Sequence, residues 1–126
     1  MNRKILLVDG DETILHVFGE ELKKAGFEVE TAMDGKTGLE KARTEQVNLI
    51  LLGQILPDMK GNEILKTLKS DNATKNIPIA ILSNFGQQEL VHEAFEEGAL
   101  DYILKYQIAP KDLPAKVENI LKNVKQ

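Results

Sequence analysis

Asn48-Leu49-Ile50-Leu51-Leu52-Gly53-Gln54-Ile55-Leu56-Pro57-Asp58-Met59-Lys60-Gly61 is the stretch from which the fold is read. An apolar run of strand length stops at a glycine, and a turn containing Pro57 and Gly61 follows. A run of this kind, apolar without alternation, belongs to a strand covered on both faces of a parallel sheet. In such a sheet the carboxyl ends of the strands form a crevice where ligands and chemistry collect. The residue that stands there is Gly53, which has no side chain to react, coordinate or ionise.

The segments on either side repeat the pattern. Ile5 to Val8 is a second buried strand, ending in Asp9-Gly10-Asp11-Glu12, whose acids can cap the helix that follows. Thr13 to Lys24 carries Ile14, Phe18 and Leu22 as one helical stripe, and Gly26 ends it. Phe27 to Ala32 alternates as a strand, and Asp34-Gly35 turns into a helix bearing Leu39 and Ala42. The central strand spans Val47 to Leu52, and Gly61 opens a helix with Ile64, Leu65 and Leu68. After the polar loop Ser70 to Asn76 come a strand from Ile77 to Ser83, a helix from Gln87 to Glu97, and a short strand from Tyr102 to Lys105. Leu113, Val117, Ile120, Leu121 and Val124 mark the closing helix. Five strands alternating with five helices require right-handed crossovers and a doubly wound α/β sheet.

Composition narrows the function classes. At 126 residues the chain fits one domain, 1–126, with one proper core. The absence of cysteine excludes disulfides, thiolate metal sites and thiol nucleophiles, and fits a cytoplasmic protein. The apolar run after Met1-Asn2-Arg3-Lys4 is too short for a signal peptide or a membrane span. A net charge of −4 with no Trp gives no reason to expect nucleic acid, so protein partners are expected. His16 and His92 are expected on helices away from any acid or second ligand and read as surface residues; Glu20-Glu21 and Glu96-Glu97 read as solvated helix faces. Asp34-Gly35-Lys36-Thr37 lacks the earlier glycine of a phosphate loop.

Leu7-Val8-Asp9, Leu56-Pro57-Asp58-Met59-Lys60-Gly61, Ser83 and Asp101-Tyr102-Ile103-Leu104-Lys105, in that order, resemble the receiver domain of two-component response regulators across nearly the whole chain. The resemblance implies a flavodoxin-like sheet of order 2-1-3-4-5. It also implies a phosphorelay role, in which a histidine kinase passes a phosphoryl group to an aspartate at the end of the third strand. That position is Gly53 here, and the acidic pair that would hold Mg²⁺ reads Asp9-Gly10. Ser83 and Lys105 match the hydroxyl and the lysine that bind phosphoryl oxygens in the family, and Tyr102 matches the aromatic residue whose rotation accompanies activation. Tyr106 replaces the usual proline after the lysine, so a trans peptide is expected, a cis bond costing about 3 kcal/mol.

These substitutions set the functional expectations. Gly53 supplies no nucleophilic oxygen, so the chain is expected to be a pseudo-receiver, not an enzyme, with no catalytic residue. Asp9 alone is expected to leave Mg²⁺ binding weak or vestigial, with no cofactor. Asp11 is expected to be drawn into the turn and not to rescue the site, and Lys105 to face Asp9 one against one. The expected partner is a histidine kinase or a downstream signalling protein, met through a face that includes Gln87, Val91, Tyr102, Tyr106 and Lys111. The chain is expected to be a monomer or weak homodimer without an output domain. Two alternatives stay open: a normal phosphoacceptor inactivated deliberately, and a small anion pocket left by the glycines beside Ser83 and Lys105.

Overall fold

In the computed structural model, which describes residues 3–124, the apolar runs all become central strands of one sheet. The order of elements is β1 (Lys4–Val8), α1 (Glu12–Lys24), β2 (Glu28–Ala32), α2 (Gly35–Thr44), β3 (Leu49–Leu52), α3 (Gly61–Ser70), β4 (Ile79–Ser83), α4 (Gln88–Glu96), β5 (Asp101–Leu104) and α5 (Leu113–Lys122). All pairings are parallel and the strand order is β2-β1-β3-β4-β5, as the alternation and the resemblance led one to expect. Met1 and the last two residues lie outside the described part, as does Asn2, so the expected extent of 1–126 reaches past it at both ends.

Two cores follow from the alternation of side chains along each strand. Ile5, Leu7, Leu49, Leu51, Leu82 and Ile103 point to one face and meet Leu15, Phe18 and Leu22 of α1 with Leu113, Val117 and Ile120 of α5. Leu6, Val8, Ile50, Leu52, Ile79 and Ile81 point to the other and meet Ala42 of α2, Ile64, Leu65 and Leu68 of α3 and Ala94 of α4. Both faces being covered, strand polarity has nothing to alternate with.

The strand limits shift where backbone chemistry forbids pairing. Pro78 has no N–H to give, so β4 begins at Ile79 and not at Ile77; the Pro78 carbonyl still accepts from the Ile50 amide at 3.0 Å. β3 begins at Leu49, not Val47, because the Asn48 side chain bonds the Lys4 amide at 2.8 Å. β2 starts one residue late, at Glu28, and α4 is one residue shorter at each end than expected. β5 is Asp101–Leu104, and Lys105 instead opens a 3-10 turn, Lys105–Gln107. In α1 the buried residue next to the stripe is Leu15, while Ile14 is only half-buried. Among the described residues, no helix is long and apolar enough to cross a membrane.

The register decides what lies at the crevice. Val8 pairs with Leu52 and Ser83 with Leu104, so Asp9, Gly53, Ser83 and Lys105 all fall at the carboxyl ends of neighbouring strands. β1 and β3 are adjacent although β2 intervenes in sequence, which makes their ends the switch point of the sheet.

Candidate functional site

Four elements converge on one ion pair. Asp9, just past β1, is 5% exposed, and its Oδ2 lies 2.7 Å from Nζ of Lys105, just past β5. Its other oxygen, Oδ1, accepts the amide of Asp11 at 2.9 Å. Both Asp9 oxygens are therefore occupied by protein donors. Between the two lies Gly53: a Cβ built on it would stand 3.2 Å from Asp9 Oδ2 and 3.2 Å from the Val8 carbonyl. The carboxylate of Asp9 thus sits against the space in which a side chain at position 53 would start.

Gly10 is different. A Cβ there would have only ordinary contacts, the nearest being Pro57 Cδ at 3.5 Å. Asp11 is exposed and spends its side chain on capping α1, its Oδ1 accepting from the Thr13 amide at 2.9 Å. Gln54 and Ile55 follow Gly53 into a turn closed by the pairing of Ile55 with Lys60 and by the Gly61 amide on the Gln54 carbonyl at 2.7 Å. Gly61 is required for this closure, since a Cβ on it would come within 2.2 Å of the Gly53 carbonyl oxygen. Asp58 reaches from the same turn to the amides of Gly35 and Lys36 at 2.7 and 3.0 Å. Those two backbone donors at the start of α2 hold the Asp58 carboxyl below its usual range.

Magnesium requires near-octahedral oxygen ligation. The donors present at the crevice are one carboxylate already bound by Lys105 and Asp11, and backbone carbonyls such as that of Ile55. This set does not fit the ion, and among the described residues no group of three or more His, Cys, Asp or Glu gathers elsewhere.

On the β4–β5 side the polar groups are intact and paired. Ser83 is 2% exposed and its Oγ accepts the Phe85 amide at 2.9 Å. The Tyr102 hydroxyl donates to the Phe85 carbonyl and accepts from Gln54 Nε2 at 3.2 Å. Gln54 and Asn62 were not among the residues singled out from the sequence, yet they are 3% and 6% exposed and bonded to each other. A signal for them existed: Gln54 lies two residues past a buried strand, and Asn62 lies three residues before Leu65 on the inward stripe of α3.

The remaining sequence candidates lie at α4, in the turn after β5 and in the turn before α5. Gln87 is the exposed residue preceding α4, Val91 is half-buried on that helix, and Tyr106 is exposed in the turn after β5. Lys111 is exposed on the turn Pro110–Asp112, which packs against α1 and α5. The peptide between Lys105 and Tyr106 is trans, as a non-proline residue at 106 requires. His92 faces solvent as expected but is not away from acids, because Glu96 one helical turn on brings its carboxylate to 3.5 Å.

Comparison with known proteins bears on this arrangement. The family model described as response regulator receiver domain matches residues 5–118. The alkaline phosphatase synthesis transcriptional regulatory protein PhoP of Bacillus subtilis is 36% identical over 97% of this chain and 50% of its own length. The phosphate regulon transcriptional regulatory protein PhoB of Escherichia coli is 31% identical over 98% of the chain and 54% of its own. The chain thus spans about half the length of these relatives. Among solved structures, a CheY-like receiver domain protein from Methanospirillum hungatei superposes with a TM-score of 0.89 at 31% identity, covering 97% of this chain and 95% of that one.

Proposed function

The chain belongs to the response regulator receiver domain family, and from that premise we propose that it is a pseudo-receiver that accepts no phosphoryl group and acts by protein contact. The observation that carries the reading is Gly53 at the tip of β3, with Asp9 and Lys105 bonded to each other beside it. Phosphorylation of a receiver needs a carboxylate oxygen to attack phosphorus while the donor's P–O bond breaks, and the protein otherwise contributes position and charge. Here no side-chain oxygen exists at the attacking position. Mg²⁺, which receivers bind at this place, is held weakly at most, because Asp9 brings one carboxylate and shares it with Lys105. The protein is not an enzyme on this reading, and its partner is a histidine kinase or a downstream signalling protein.

The anion-pocket alternative draws less support. An anion at Ser83 and Lys105 would meet a lysine already paired with the Asp9 carboxylate at 2.7 Å. The charge it would seek is already neutralised.

Restoring the acids tests the proposal. The Gly10→Asp, Gly53→Asp double variant, incubated with acetyl phosphate and Mg²⁺, is expected to take up the phosphoryl group at position 53 with release of acetate. The single Gly53→Asp variant is expected to label far less, since it still lacks the acid at position 10. Labelling of the unaltered chain at any aspartate of the crevice contradicts the reading.

A further inference from the structure

The amides Gln54 and Asn62 form the floor of a cleft of about 420 Å³ between α3 and α4, rimmed by Lys60, Glu63, Leu90 and Glu93. Two buried amides at the bottom of a cleft are either a recognition site or an internal strap, and their hydrogen bonds distinguish the two. Gln54 Nε2 donates both to Asn62 Oδ1 at 2.9 Å and to the Tyr102 hydroxyl at 3.2 Å. Asn62 Nδ2 donates both to the Leu90 carbonyl at 3.2 Å and to Glu93 Oε1 at 2.6 Å. The Asn62 amide closes the loop on Gln54 Oε1 at 3.1 Å. Each side-chain amide proton has a partner, and among the described residues no buried side-chain polar atom lacks one. A floor with no free donor has nothing to offer a ligand.

What the network does offer is mechanical. It ties the residue after Gly53 to α3, to the first two turns of α4 through Leu90 and Glu93, and to β5 through Tyr102. The Tyr102 hydroxyl extends it to the β4–α4 loop at Phe85, where a Cβ on Gly86 would stand 3.0 Å from Leu104 Cδ2. We propose that Gln54 and Asn62 are positioning residues: they hold Tyr102 and the start of α4 in one arrangement, so that the face made by α4 and β5 is presented without any phosphoryl group on β3. The use of that face rests on the function proposed above; the strap stands on its own hydrogen bonds. Buried networks of this type fix a unique arrangement when every member is satisfied and fail together when one is removed.

The experiment replaces tyrosine by 3-fluorotyrosine in a Tyr106→Phe background, leaving one ¹⁹F reporter at position 102, and follows amide exchange of residues 85–90 in the same samples. The parent is expected to show one ring environment. Gln54→Leu is expected to add a second one and to speed exchange of the β4–α4 loop by roughly tenfold or more, with β1 and β3 amides unchanged. Gln54→Leu, Asn62→Leu, which refills the floor with apolar side chains, is expected to keep the core folded yet still release Tyr102. A merely structural role would be repaired by that refill. Should the amide variants fail to fold, Tyr102→Phe gives the second arm: loss of its hydroxyl is expected to speed exchange of the same loop to a similar extent. An unchanged ring signal in Gln54→Leu, or an unchanged loop in Tyr102→Phe, overturns the proposal. Phosphoryl labelling of the unaltered chain with the strap responses intact would instead overturn only the function proposed above.

Discussion

The crevice divides into two halves that have fared differently. On the β1–β3 side, positions 10 and 53 carry no side chain and one carboxylate remains, tied to a lysine from across the sheet. On the β4–β5 side, Ser83, Tyr102 and Lys105 are all present and each is engaged by a protein partner. On the proposed reading, one half lacks the groups that take up a phosphoryl group and the other keeps those that respond to it. The two halves meet in two bonds, Lys105 to Asp9 and Gln54 to the Tyr102 hydroxyl, so on the proposed reading the responding face is held from the strand ends without a phosphoryl group.

The largest expected effect tests the charged link between the halves. Lys105→Ala leaves Asp9 buried without its counter-ion and is expected to destabilise by about 3 kcal/mol in urea unfolding, whereas adding Asp9→Asn is expected to recover most of that loss. A Lys105→Ala variant as stable as the parent would show that the two halves are not coupled through this pair. Gly61→Ala is next, at about 2 to 3 kcal/mol, since its Cβ would meet the Gly53 carbonyl and no flexible atom is there to yield. The two glycines of the stripped half should then part company. Gly53→Ala pushes on Asp9 and on a backbone oxygen and is expected to cost up to about 1 kcal/mol. Gly10→Ala, with open space and no positive φ, is expected to be neutral or to stabilise by about 0.5 kcal/mol. Equal costs at both positions would dissolve the distinction between a crowded and an open loss.

The smallest effect is in pH. The folded-state pKa of Asp58 is depressed by the Gly35 amide first and then the Lys36 amide, so its cap on α2 stabilises fully above the ordinary carboxylate pKa. That contribution disappears as pH falls through the depressed folded value. Asp58→Ala is therefore expected to lower the urea midpoint at neutral pH and to match the parent in strong acid.

The sheet was legible because its information is local. Runs such as Leu49–Leu52 and Ile79–Ser83 are apolar throughout, and only a strand covered on both faces needs that. The residue at the end of the central strand was legible for the same reason, since the apolar run stops at Gly53. The ends of elements were less so: Pro78 could be seen to weaken pairing, yet where β4 started depended on which of its neighbours' amides sought a carbonyl. The Gln54–Asn62 pair was hidden by distance. Its meaning comes from Tyr102, Phe85 and Glu93, which lie on other elements, and no spacing along the chain announces that they meet.

The most direct test of the account is mass spectrometry of the unaltered protein after incubation with acetyl phosphate and Mg²⁺, read by peptide for Asp9, Asp11 and Asp58. The account predicts no acid-labile phosphoryl adduct at any of the three, with the double Gly10→Asp, Gly53→Asp variant labelled under the same conditions. A stable aspartyl phosphate on the unaltered chain would contradict it.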